Sequence, residues 1–280
     1  MEIWHSVILG FVQGITEFLP ISSSGHLVIF SALYKFFTQQ EITTATSEEI
    51  FLDIILHLGT LIAVIFYFRK DITDIAKGLF DSLKTKDFKS KESKIGLCLI
   101  LGTFFTILTA YPLKDFCEVL VSSPKIVCCI LLITGTIILT SEIVGTKLEK
   151  RDELTWKQAI IIGIAQGLAA FPGISRSGMT ISTGLFCGLT RVESARFSFL
   201  LSILIIAGAS IFYPILEIDF SVLKGFNWIS ILGGFAVAII SGYLCIKYFM
   251  QFLNKYSMKV FAYYCFLVGI LGFIFFRFVV

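Results

Sequence analysis

The sequence predicts an all-α polytopic membrane protein with about six full transmembrane helices. Two re-entrant helix-loop-helix hairpins, related by an inverted-topology repeat, complete the predicted fold. Three observations carry that prediction. Of 280 residues, 56% are hydrophobic and only 15% charged, against about 45–50% and 25% in soluble domains. Apolar runs of 18 or more residues recur, each long enough for a hydrocarbon core of about 30 Å. A pair of polar islands, 153 residues apart, interrupts the apolar sequence with the same motif.

Residues 3–19 are apolar but short, roughly 25 Å as a helix. Pro20 and the Ser22-Ser23-Ser24-Gly25 run break that helix, and a second apolar run reaches about Phe37. This is the first expected hairpin. Glu2 and His5 stand where a signal peptide would carry its basic leader. Full spans are expected at about 50–68, 95–113, 119–143, 196–216, 228–250 and 260–279, and a second hairpin at 157–190. The whole chain, 1–280, reads as one membrane domain with repeat halves of about 1–145 and 146–280.

Charge gives the sidedness. Residues 69–94 hold eight Lys or Arg and read as a cytoplasmic loop by the positive-inside rule. Six spans then put 146–157 and 251–259 on the same side, and both are basic. The segments left outside, 38–49, 114–118 and 217–227, hold only Lys114 and Lys224. The first hairpin then enters from outside and the second from the cytoplasm. Seven cysteines include no C-x-x-C pair and read as free thiols, mostly buried.

Shifted by 153 residues, Gly10 falls on Gly163, Gln13 on Gln166, Gly14 on Gly167 and Phe18 on Phe171. Ser22 falls on Ser175, Ser24 on Ser177 and Gly25 on Gly178. Inverted repeats of this kind bring broken helices together near the midplane, where their N-termini can hold anions. The mismatches matter more: Glu17 faces Ala170, Ser23 faces Arg176, and His26 faces Met179. One loop supplies a carboxylate and an imidazole, the other a guanidinium.

Ionisable groups at membrane depth are expensive, so each one needs a reason. Arg176 lies between serines in a turn flanked by Gly173 and Gly178, where backbone N–H groups and a planar fork suit phosphate. Glu17 can act as general base, hold a divalent metal or orient His26. His26 can donate to a leaving oxygen, activate a nucleophile or attack phosphorus. One of Ser22, Ser23 and Ser24 is expected to cap the following helix; Ser23 stands out because it matches Arg176. Asp53 and His57, four residues apart, can approach a central site, Asp53 beside a metal. His5 is expected at the interface. Arg191, Glu193 and Arg196 suit a solvated helix start, with Arg191 able to assist anion capture.

Gln13-x-x-x-Glu17 running into Pro20-x-Ser22-Ser23-x-Gly25-His26, with Pro172-Gly173-x-Ser175-Arg176-Ser177-x-x-Thr180, resembles the bacterial undecaprenyl-diphosphatase, or bacitracin-resistance, family. The resemblance covers nearly the whole chain. It implies a multi-pass enzyme of the bacterial inner (plasma) membrane that hydrolyses undecaprenyl diphosphate to the monophosphate and inorganic phosphate. That recycles the carrier of peptidoglycan synthesis and confers bacitracin resistance. It also implies Glu17, Ser23, His26 and Arg176 as catalytic groups, with Ser175 and Thr180 beside the substrate. Ser22, Ser24, Gly25, Gly173 and Ser177 complete the expected substrate cradle. The family's divalent cation, usually magnesium, and a periplasmic opening are implied in the same way. Gln13 stands where many members carry glutamate. A neutral amide is a weaker ligand for a hard cation, which shifts the expected metal contact to Glu17, Asp53 and the substrate's phosphates.

The expected partners are the prenyl diphosphate substrate and membrane lipids, with no nucleic acid; a homodimer stays open. Phosphoryl transfer could use Ser23, His26 or activated water as nucleophile. The rival reading is a secondary transporter or flippase of a prenyl phosphate, since inverted repeats and broken helices serve transport too. The Glu17 and His26 pair favours hydrolysis, because transport alone needs no acid–base pair.

Overall fold

A computed structural model describes residues 3–39, 46–113, 117, 123–149, 153–217 and 225–278. Its helices are α1 (Ile3–Thr16), α2 (Ser23–Phe37), α3 (Ser47–Tyr67), α4 (Arg69–Thr85), α5 (Lys91–Ala110) and α6 (Pro124–Gly145). They continue as α7 (Trp156–Leu168), α8 (Arg176–Phe186), α9 (Arg191–Glu217), α10 (Trp228–Lys255) and α11 (Lys259–Phe278). Six of these, α3, α5, α6, α9, α10 and α11, are long and apolar enough to cross a membrane. The protein is an all-α, multi-pass membrane protein.

Helix ends follow the local sequence. Thr46 and Glu49 form a capping box on α3, and Thr155 and Gln158 form one on α7. Ser90 caps α5, and Pro124 opens α6 where its missing N–H costs nothing. The expected basic loop 69–94 differs: it folds largely into the amphipathic helix α4, whose Asp71 and Lys84 suit its two ends. Parts of the expected outer loops and the start of the 119–143 span lie outside the described residues.

Glycines set how closely the helices pack. A Cβ on Gly10 of α1 would lie 2.2 Å from the Gly234 carbonyl oxygen of α10. At the equivalent point of the second half, a Cβ on Gly163 of α7 would lie 2.4 Å from the Gly102 carbonyl oxygen of α5. One turn on, Gly14 meets Ala238, Ser241 and Gly242, while Gly167 meets Thr106, Thr109 and Ala110. Each short helix therefore packs on a long helix of the other half, through the same stripe of small residues.

Part-buried ion pairs hold one end of the bundle. Arg191 donates through Nε and Nη2 to the two oxygens of Glu142, at 2.8 and 2.6 Å. Glu142, 1% exposed, also accepts from the Met258 N–H at 2.8 Å, which ties α6, α9 and the start of α11 together. Arg196 grips Asp71 of α4 through Nε and Nη2. Both arginines therefore serve as clamps: Arg191 does open α9 and both side chains stay partly exposed, but the fork of Arg191 is committed to Glu142 rather than to an anion. His5 is buried within the protein and stacks on Tyr34, with ring centroids 4.0 Å apart.

Candidate active site

The site lies where α1 and α7 stop and α2 and α8 begin. Each break carries one residue at positive φ, but at different places. In the second break it is Gly173, at φ 94°, which a glycine accepts without strain. The aligned residue of the first break is Pro20, whose ring forbids positive φ. There the left-handed residue is Ser22, at φ 71°. A non-glycine residue in that region costs about 1–3 kcal/mol, and such strain gathers at functional sites.

The breaks touch. A Cβ on Gly25 would lie 3.3 Å from Gly173 Cα, and one on Gly178 would lie 3.4 Å from Pro20 Cβ. Ser177 Oγ donates to the Leu19 carbonyl at 2.8 Å. Ser22 caps α2 by accepting from the Gly25 N–H at 3.2 Å, and Ser175 caps α8 by accepting from the Gly178 N–H at 3.0 Å. Thr134 of α6 braces the second break: its hydroxyl donates to the Gly173 carbonyl at 2.9 Å and accepts from the Ser175 N–H at 3.2 Å.

Glu17 is the hub, with a side chain only 4% exposed. Arg176 Nη2 donates to its Oε1. Ser23 Oγ donates to its Oε2 at 2.6 Å, and Gln13 Nε2 donates to the same oxygen at 3.0 Å. His57 Nε2 stands 3.8 Å from Oε2, while its Nδ1 donates to the Asp53 carbonyl at 2.8 Å. The Asp53 carboxylate lies 3.5 Å from His57 Nδ1 and is half exposed. A buried carboxylate thus faces a guanidinium, a hydroxyl and an imidazole. The N-termini of α2 and α8 add positive dipole ends.

The repeat explains the role of Gln13. Its counterpart Gln166 spends its amide on Thr106 Oγ1, at 3.1 Å, and Thr106 in turn donates to the Gly163 carbonyl. Beside Gly14 and Gln13, on α10, Ala238 stands where Thr106 of α5 stands beside Gly167 and Gln166. The Gln13 amide has no such hydroxyl and turns to Glu17 instead.

Several expected groups point elsewhere. His26, 3% exposed, does not bond Glu17. Its Nδ1 meets the Ser22 carbonyl at 2.8 Å and must carry a proton there. Its Nε2 meets the Tyr264 hydroxyl at 2.8 Å, and the two rings stack. The expectation that Glu17 orients His26 is therefore corrected. Thr180 Oγ1 donates to the Arg176 carbonyl at 2.8 Å and shares a 2.5 Å hydrogen bond with Ser198, so its hydroxyl is not aimed at Glu17. Ser24 lies 3.4 Å from Ser22 Oγ, and Ser177 lies 3.1 Å from Ser175 Oγ, which makes these pairs part of the caps. Two participants were undervalued in the sequence. The i,i+4 spacing of Asp53 and His57 was a signal for His57, whereas Tyr264 sits in an aromatic-rich span with nothing to mark it.

The bacitracin resistance protein BacA family matches residues 6–271. The chain belongs to that family. It is 40% identical to an undecaprenyl-diphosphatase of Halothermothrix orenii, over 97% of each chain. It is 39% identical to one of Methanosphaera stadtmanae, again over 97% of each. One of Korarchaeum cryptofilum is 37% identical over 96% of this chain and 98% of its own. With family relatives aligned end to end, the joined breaks fall well inside the shared region.

The donor set admits a hard dication only in a particular way. Among the described residues, no three His, Cys, Asp or Glu side chains are grouped to hold a metal. Glu17 and Asp53 provide carboxylate oxygens on either side of His57, and the buried Gln13 Oε1 lacks a hydrogen-bond partner. That suits magnesium, which commonly takes one or two carboxylates and completes its shell with water and substrate phosphates.

Proposed function

We propose that this protein hydrolyses undecaprenyl diphosphate to undecaprenyl phosphate and inorganic phosphate. The observation that carries the reading is the convergence of Ser23 and Arg176 on Glu17, a nucleophile, base and anion-binding cation within one buried cluster. Relatives named for this activity, similar over nearly their whole length, support the substrate.

In this reading Arg176 exchanges its contact with Glu17 for the diphosphate as substrate binds, and the starts of α2 and α8 neutralise further charge. The released carboxylate of Glu17 takes the proton of Ser23, to which it is already hydrogen-bonded. Ser23 Oγ bonds to the terminal phosphorus as the anhydride P–O bond breaks, and undecaprenyl phosphate leaves. Glu17 passes that proton to the leaving phosphate oxygen. It then takes a proton from water, whose oxygen attacks the phosphoserine, and returns it to Ser23 Oγ as the P–Oγ bond breaks and inorganic phosphate leaves. His26 is less suited to attack, because both ring nitrogens are engaged. Bound magnesium would supply charge neutralisation at the phosphates, with Glu17, Asp53 and Gln13 Oε1 as its protein contacts.

The prenyl chain would lie in the bilayer beside the helices. The enzyme would sit in the inner membrane with its two halves inverted as re-entrant hairpins and its site facing outward. There it would recycle the carrier for peptidoglycan synthesis and limit the target of bacitracin. The packing of each short helix on the opposite half also suits transport, but transport would not need the Ser23–Glu17 pair. Purified protein is expected to release phosphate from farnesyl diphosphate, and acid quench is expected to trap labelled phosphate on Ser23. Release by Ser23→Ala at the wild-type rate would sink the mechanism; no release by the wild type would sink the activity.

A further inference from the structure

We propose that a second site, between the start of α5, the segment just before α7 and the first turns of α9, binds the phosphate headgroup of an anionic phospholipid. A cavity of about 180 Å³ opens there, away from the Glu17 cluster. It is comparable with the ~150 Å³ cavities that admit a benzene ring, so a headgroup fits and a whole lipid does not.

The chemistry of the walls is amphipathic. Lys89, Lys91 and Lys94 line the cavity and are exposed. Among the described residues, none of the three makes an ion pair. Arg196 also lines it, but Asp71 and Glu193 already hold that guanidinium and make it a fixed wall. The apolar lining comes from Leu154, Leu189, Phe197 and Leu200, the last three buried. Glu153 and Glu193 also line the cavity; Glu193 is taken by Arg196, and Glu153 can accept from a headgroup hydroxyl. Three unpaired ammonium groups over an apolar lining favour a phosphate attached to something greasy. A soluble anion would leave the apolar part wet.

The position fits the same occupant. Helix α4, which leads into Lys89 and is held to the cavity wall through Asp71 and Arg196, exposes Phe80 and Leu83 at 57% and 68%. Lys84 Nζ stands 4.2 Å above the Phe80 ring. An amphipathic helix with apolar and basic groups exposed together lies in the headgroup layer. The cavity therefore opens at headgroup level, on the face that the positive-inside rule makes cytoplasmic. Basic pockets between helices on that side suit anionic lipid heads.

The test is native mass spectrometry of the full chain, released from nanodiscs that contain phosphatidylglycerol and phosphatidylcholine. Phosphatidylglycerol is expected to stay on the wild type. Retention should fall about tenfold in the triple variant Lys89→Gln, Lys91→Gln, Lys94→Gln. A triple of equal charge outside the cavity and outside α4, Lys147→Gln, Lys255→Gln, Lys259→Gln, should retain it as the wild type does. Melting of both triples in lipid-free detergent at the wild-type temperature shows that neither has lost its fold. Equal loss from both triples, or none from the first, overturns the site. Displacement of the lipid by millimolar inorganic phosphate would make it a free-anion site and overturn the lipid assignment.

Discussion

Ser23 and Arg176 occupy the same position in the two halves of the repeat, and both donate to Glu17, one to each carboxylate oxygen. The hydroxyl and the guanidinium are thus the two versions of one site position, joined through a carboxylate that only the first half carries. Chemistry arises here from broken symmetry. A perfect repeat would place two serines or two arginines against that carboxylate and could not pair a nucleophile with an anion grip.

Removing the grip should separate charge from geometry. Arg176→Lys keeps a cation but loses the planar fork, and phosphate release is expected to fall about 10²-fold, as for loss of one oxyanion donor. Arg176→Ala should also destabilise the fold by about 3–5 kcal/mol, because Glu17 is left buried without its ion-pair partner. Adding Glu17→Gln to Arg176→Ala should restore much of that stability and none of the activity. Thermal unfolding in detergent and the release assay read the two effects.

Tyr264→Phe tests whether His26 works through its position. The variant keeps the stacked ring and loses only the hydroxyl that meets Nε2 at 2.8 Å. A stability loss of about 1 kcal/mol is expected. Activity should fall less than in His26→Ala, and the double variant should resemble His26→Ala alone. Additive losses in the double-mutant cycle would show that the two side chains act separately.

Gly10→Ala and Gly163→Ala should behave as a pair. Each new Cβ would collide with a backbone carbonyl, at 2.2 and 2.4 Å, which no rotamer can relieve. The helices must separate, at about 1–3 kcal/mol or more each. Gly233→Ala, whose nearest neighbour would be a side-chain atom at 3.6 Å, should melt close to the wild type.

Gln13→Glu addresses the cation. The amide now donates to Glu17 Oε2, and a second carboxylate there would repel it until a dication arrives. Magnesium dependence should sharpen: less activity after chelation, and a half-saturating concentration several-fold lower than in the wild type. An unchanged magnesium response would remove Gln13 from the cation's surroundings.

The spans were legible because apolar length is a local property, and a helix is the only way such a run satisfies its backbone in lipid. The two polar breaks were legible for the same reason, since Pro20 and the Gly- and Ser-rich turns cannot continue a helix. Helix α4 was hidden because its charges, read as sidedness, obscured an amphipathic pattern. The partners of Arg191 and Arg196 were not legible because Glu142 and Asp71 lie 49 and 125 residues away.

By itself, then, the sequence determined an all-helical membrane protein, the two breaks, the family and a short set of residues able to handle a diphosphate. Composition, periodicity and motif spacing are properties of neighbours in the chain. Tertiary structure alone decided which of those residues meet. It brought Ser23 and Arg176 to Glu17, turned His26 to Tyr264, and gave His57 a place at the hub. Those contacts depend on helices packed across the two halves at glycine distance, and no local pattern records which side chain lies opposite another after such packing.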